Sequence, residues 1–336
     1  MGRGRFFWSG FALVVLIAAI YPLFADGWTV GNVAYFLTWV FMALGLCLIW
    51  GHAGALSFGQ TAFFGLSGYA YGVITINLGD AWGLTLVALL AAVLLSAAFA
   101  CVLGYFLFYG GIGGVFLGIV TLSVTLVFAT FMAQTAGPEW VIGSARLNGY
   151  NGMTGMPPLT IPWFGEPLVL WPDIELYYVL LGLLVACYLG LRILVNSPFG
   201  NVLVAIRENP ERAQMLGYDI RRYQLAAFVI GSALAGLSGV LYTAWGQYIT
   251  PDSMGLMAAA LPVVWVAVGG RKDLTATLIG TLAVLYVFQL LTIYGSQYAL
   301  VVMGALLLVT VLFAPEGLVP GLLSLVRRLG RRGAGR

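Results

Sequence analysis

Ten long apolar stretches, separated by short polar or glycine-rich breaks, leave this chain few options for folding. A helix that crosses a bilayer needs about 20 apolar residues. Ten such helices consume about 200 residues, close to the apolar content of a chain that is 61% hydrophobic and 8% charged over 336 residues. An ordinary soluble domain carries about 25% charged residues. The expected fold is therefore all-α: a polytopic integral membrane protein with about ten transmembrane helices. Residues 1–336 form a single membrane domain. The spans fall near 6–25, 30–50, 54–77, 83–108, 111–135, 176–195, 223–245, 257–270, 274–294 and 298–314. The first follows Arg3 and Arg5 and has Leu23 where a cleavage site wants a small residue, which favours an uncleaved span over a signal peptide. The eighth is short and implies a tilted or broken helix, or one that extends back toward Met254.

Charge sets the orientation. With a cytoplasmic N-terminus, Arg3, Arg5, Arg192, Arg207, Arg212, Arg221, Arg222, Arg271, Lys272 and the five arginines beyond Leu325 all lie inside, and of the 15 basic residues only Arg146 lies outside. Asp26, Asp80, Glu139, Glu166, Asp173, Glu175 and Asp252 lie outside. Cytoplasmic loops are enriched in Lys and Arg, so both termini are expected in the cytoplasm. The net charge of +3 sits at membrane edges and is no nucleic-acid signal. Cys47, Cys101 and Cys187 fall in apolar runs and read as packing residues.

Two segments stand outside the bilayer pattern. The outside loop 136–175 is rich in Gly, Pro and aromatics, and reads either as a compact connector or as a docking lip or gate. The cytoplasmic loop 196–222 carries one apolar stripe, Phe199, Val202, Leu203 and Ile206, at helical spacing. Asn209 suits an N-cap before Pro210 and Glu211, and Gly217 suits a helix stop. Two short helices bent at Asn209–Pro210 would make a contact for another protein, or would lie on lipid headgroups.

The start of the third span, GHAGALSFGQTAFFGLSGYAYG, is dense in glycine. Gly68 and Gly72, with Gly65 one turn before, let helices approach closely, and such a cluster also marks locally broken helix. Ser57, Gln60 and Thr61 share the stretch and are candidates to line a polar route, alongside the alternative of hydroxyls bonded to their own helix. A second glycine run, 110–118, lacks the Lys-Ser/Thr of a phosphate loop and reads as a tight turn into a closely packed helix. No Asp, Glu, Lys or Arg lies in the middle of a span, which argues against a proton-coupled pump. There is one histidine, no metal-ligand cluster, no Ser-His-Asp set and no nucleotide loop, so neither an enzyme nor an ATPase is expected here.

The segments AGALSFGQTAFFGLSGYAYGV, GVFLGIVTLSVT, NGMTGM, SPFGNVLVAIRENPERAQMLGYDIRRYQLAAFVIGSALAGLSGVLY and LFAPEGLVPGL follow one another between Leu44 and Gly321. In this order the chain resembles the permease subunits of branched-chain amino-acid ABC importers, the M-type more than its H-type sister. The resemblance implies an ABC-importer permease fold in a bacterial inner membrane. It implies that Ala205, Arg207, Glu208, Ala213 and Gly217 belong to coupling helices seated on an ATPase, and that Ser57, Gln60 and Thr121 lie near the translocation route. It further implies a homologous second permease subunit, two ATP-binding cassette ATPases holding ATP and Mg, and a periplasmic solute-binding protein, with no cofactor in this chain. The expected cargo is a branched-chain or related amino acid; urea and short amides are the alternative cargo. A stand-alone ten-span secondary transporter is the competing reading, and it requires internal repeats and an intramembrane ion site.

Overall fold

The computed structural model describes residues 4–79, 84–162, 168–314 and 316–321. Asp80, Glu166, Arg3 and the C-terminal arginines lie outside the described residues. The membrane helices are α1 (Arg5–Ile20), α2 (Gly27–Leu46), α3 (Gln60–Leu78), α4 (Leu84–Tyr109), α5 (Gly114–Ala133), α6 (Ile174–Asn196), α9 (Ile220–Gly246), α10 (Leu256–Gly269) and α11 (Leu274–Phe313). Two short helices, α7 (Pro198–Glu208) and α8 (Pro210–Met215), precede α9.

Helix α11 is two antiparallel limbs. Its backbone leaves helical geometry at Gly295. The chain then returns to where it started: Lys272 Nζ lies 3.6 Å from Glu316 Oε1, and a Cβ on Gly270 would sit 2.9 Å from Pro320. The apolar limbs Leu274–Gly295 and Gln297–Thr310 match the last two expected spans. Ten apolar helices thus stand where the apolar stretches fall. Among the described residues, six of them are long and apolar enough to cross a membrane by length and composition; α1, α10 and the second limb of α11 are shorter, and α3, with its glycines and polar residues, is less apolar. Lipid-facing positions are themselves apolar: on α5, Val115 is 78% exposed and Phe116 72%. A bilayer solvates such a surface, and water would not.

The helices alternate direction between two ends of the molecule. One end carries α7, α8 and Arg192, Arg207, Arg212, Arg221, Arg222, Arg271 and Lys272, and is called the basic end. The other carries six short strands and is called the hairpin end. There β1 (Val141–Ile142) pairs with β2 (Ala145–Arg146), and β4 (Leu159–Ile161) with β5 (Leu168–Leu170). β3 (Met153–Thr154) pairs with β6 (Tyr248–Ile249) from the α9–α10 connection. Thr85 at the head of α4 bonds Thr160, and Asn77 at the end of α3 bonds Ile142 O and Ser144 N. The described parts of loop 136–175 therefore form a cap stitched to three helix ends.

Helix α9 is the axis, running along α2, α3 and α4. In lipid, helices associate through close packing and interhelical hydrogen bonds rather than hydrophobic burial. Accordingly Ser67 Oγ donates to Gly236 O at 2.6 Å, and Ser238 Oγ to Thr38 O at 2.6 Å. A Cβ on Gly239 would lie 2.0 Å from Phe64 O, so backbones touch there. We expect Gly239→Val to destabilise the fold by overpacking, by about 1–3 kcal/mol, read as a lower melting temperature in detergent. The exposed Gly182→Val, with open space at its Cβ, should leave melting unchanged.

Candidate functional site

The candidate site is built on the connection between α2 and α3. Helix α2 ends in a π-helical turn, Cys47–His52, and residues 53–59 are not helical. The third span therefore starts at Gln60, six residues later than its apolar run suggests. The difference has a tertiary cause. Most of the connection is buried, and its backbone groups are met by other elements. Phe58 N donates to Thr121 Oγ1 on α5 at 3.1 Å, and Thr125 Oγ1 donates to Phe58 O at 3.3 Å. Gly59 N donates to Ser57 Oγ, and Ala53 and Ala55 N donate back to Leu48 and Ile49 O, all at 3.1 Å. Cys47 Sγ donates to Arg271 O at 3.1 Å.

Helix α7 closes over this connection. Arg207 Nη1 donates to Gly51 O. The Arg207 stem lies on Gly54, where a Cβ would come within 3.0 Å; Gly54 also has φ +74°, a left-handed conformation open to glycine. The other guanidinium nitrogens pair with Glu208 Oε1, with Nη2 at 2.6 Å. Arg207 beside it holds the Glu208 carboxyl below the usual carboxylate range. The pair therefore persists at neutral pH and is lost only as pH falls through that lowered value.

Asn209 Oδ1 caps α8 by accepting from Arg212 N at 2.9 Å, with Pro210 at the first helical position. α8 ends at Leu216, followed by Gly217 at φ +88°. Ala213 is buried against Val202 and Ile206, with Ile220 and Tyr223 packed around them, which locks α8 to α7 and to the start of α9. Ala205, Glu208 and Gly217 are exposed. So are Met215 at 85% and Leu216 at 75%. This apolar tip on a charged helix escapes a reading based on stripes, because it lies just past the helical repeat. Beside it a cleft of about 500 Å³ opens between α8 and the α4–α5 turn, lined by Tyr109, Gly113, Gln214, Tyr218 and Arg221.

The four expected path residues divide. Ser57 and Thr121 hold the backbone of the connection, and Thr121 Oγ1 also donates within α5 to Leu117 O at 2.8 Å. Gln60 Nε2 and Oε1 and Thr61 Oγ1 are buried without hydrogen-bond partners. An unmet buried polar group costs about 1–3 kcal/mol, so these side chains are polarity kept inside at a price. Gly65, Gly68 and Gly72 lie on the face of α3 toward the hairpin end. A Cβ on them would meet Met254 Sδ at 1.9 Å, Ile249 Cδ1 at 2.2 Å and Met156 Cε at 2.5 Å, respectively.

These features define a multi-pass membrane transport subunit: apolar helices, a buried connection gripped by a helix pair at one end, and buried polar groups above it. Over residues 29–311 the chain matches the family described as branched-chain amino acid transport system / permease component. It belongs to that family. Among its relatives, the high-affinity branched-chain amino acid transport system permease protein LivM of Escherichia coli is 26% identical over 92% of this chain and 74% of that protein. BraD of Pseudomonas aeruginosa, named likewise, is 23% identical over 88% of this chain and 94% of its own. A probable LivH of Methanocaldococcus jannaschii is 30% identical over 42% of this chain and 46% of its own. No solved structure matches the chain.

Removing the Thr121 hydroxyl strands the Phe58 amide. Thr121→Val should therefore lower stability by about 1–3 kcal/mol, whereas Thr121→Ser, which keeps the acceptor, should stay near wild type in a thermal melt.

Proposed function

We propose that this chain is the permease subunit of an ATP-driven importer that carries branched-chain or related amino acids across a bacterial inner membrane. Both termini and the basic end face the cytoplasm, and the hairpin end faces outward. α7 and α8 seat one of two ATP-binding cassette ATPases, which supply ATP and Mg; this chain itself needs no cofactor. A homologous second permease subunit completes the path, and a periplasmic solute-binding protein delivers cargo to the hairpin end.

The observation that carries this reading is the grip of α7 on the α2–α3 connection. Arg207 joins the exposed helix pair to Gly51 O, and the connection leads directly into Gln60 and Thr61. A push on α8 is thereby delivered to the foot of α3. The relatives' names support the cargo, and the presence of both LivM and LivH proteins among them supports a second permease subunit. A self-contained secondary transporter fits less well. Among the described residues, Asp, Glu, Lys and Arg occur in the membrane helices only toward their ends, where an ion-coupled carrier keeps ionisable groups at depth.

The exposed tip separates docking from folding. The double variant Met215→Asp/Leu216→Asp should insert normally, lose the co-purifying ATPases, and take up leucine at least tenfold more slowly in proteoliposomes with binding protein and ATP. Arg207→Glu/Glu208→Arg should lose uptake as well, since it breaks the grip on Gly51. Retained assembly and uptake in both variants would refute docking at α7–α8.

A further inference from the structure

A cavity of about 330 Å³ opens between α2, α9, α10 and α11 toward the hairpin end. Pockets that take small molecules run from about 300 to 1,000 Å³, mostly apolar with a few placed polar groups. Aromatic rings wall this one: Tyr35, Trp39, Trp245 and Trp265. Asn32, Gln289 and Thr292 supply amides and a hydroxyl toward its mouth, near the ends of α2 and the first limb of α11. No acidic or basic residue lines it.

Its floor is an aromatic plug. Trp39 stacks on Phe64 with centroids 4.8 Å apart and planes 8° from parallel. Tyr242 packs on both rings, at 5.1 and 5.3 Å, and Trp265 meets Trp39 at 5.7 Å. Phe64 stands one turn along α3 from Gln60, whose amide atoms have no partner. The Trp39 indole N–H is also buried without a hydrogen bond. The walls are braced from behind, since Trp245 Nε1 donates to Gly31 O at 3.0 Å and Tyr242 OH to Tyr248 OH at 2.8 Å. A cavity, a plug and unmet polar groups thus follow one another along the helix axes from the hairpin end toward the basic end.

We propose that this cavity is the outward reception site of the path, and that it takes a net-neutral amino acid with an aliphatic side chain. The inference rests on the importer reading above and adds the place where cargo first binds. Ring faces accept the aliphatic chain and attract the ammonium group. At the mouth the Gln289 amide and the second Asn32 N–H donate to the carboxylate, while the Thr292 hydroxyl is held by Phe288 O and the other Asn32 N–H by Trp28 O. A cavity without fixed charge disfavours a solute of net charge, because a buried unpaired charge is costly. The plug of Trp39 and Phe64 then parts to admit cargo to Gln60 and Thr61.

The test is radiolabelled leucine uptake by the complete importer in proteoliposomes, with saturating binding protein and internal ATP. Ala258 lines the cavity wall, so Ala258→Trp fills the site without removing a contact; it should cut leucine uptake at least tenfold at wild-type complex yield. If that complex is not recovered, Ala258→Val takes its place with an expected loss of about threefold. Trp39→Phe keeps the stack on Phe64 but removes the N–H, and should raise the KM for leucine delivery severalfold. Uptake within twofold of wild type in the cavity-filling variants overturns the reception site while leaving the importer reading intact, and would assign the cavity to lipid. Failure of the wild-type complex to take up leucine overturns both.

Discussion

The structure depends on how the backbone between α2 and α3 is satisfied. A chain that leaves helical geometry beside a bilayer must find partners for each amide and carbonyl within the protein. Here they come from three directions: the preceding π-helical turn, Thr121 and Thr125 on α5, and Arg207 on α7. The connection is thus a junction shared by elements that are far apart in sequence. Its polar partners are specific, so displacing any one of them exposes an unmet group and forces the others to rearrange.

Against this junction the α9 axis is rigid. Its small residues bring backbones into contact with α2 and α3, and serine hydroxyls bridge the remaining gaps. The hairpin cap adds a second fixed point through β3–β6 and Thr85–Thr160. Among the described residues, the buried side-chain groups without hydrogen-bond partners gather on α3 (Gln60, Thr61, Tyr69 and Tyr71), with Trp39 on α2 and Ser232 on α9.

Local pattern made much of this legible. Apolar run lengths located the ten helices, and the Asn209-Pro210-Glu211 sequence located the α8 cap, because both signals are set by neighbours within one turn. The glycines of α3 announced close approach. Other features needed tertiary information. The start of α3 at Gln60 is invisible in an apolar run that continues through Ala53 to Phe58, since long-range bonds from Phe58 to Thr121 and Thr125 on α5 hold that segment out of the helix. Thr121 was expected near the route, and the bond its hydroxyl accepts from the Phe58 amide, 63 residues away, shows in no local pattern. The strands of 136–175, two pairs within the loop and one with Tyr248–Ile249, are two or three residues long, too short for an alternation to show. The aromatic cavity draws its lining from four helices that are far apart in sequence, and no window of sequence contains it.

The neutrality of the helix interiors has an electrical consequence. Carrying one elementary charge through 100 mV is worth about 2.3 kcal/mol. The described membrane helices keep their charged residues near their ends, so a rearrangement of α2, α3 and α10 moves almost no charge through the field. A zwitterion contributes no net charge either. The membrane potential therefore has little handle on rearrangements of these described helices.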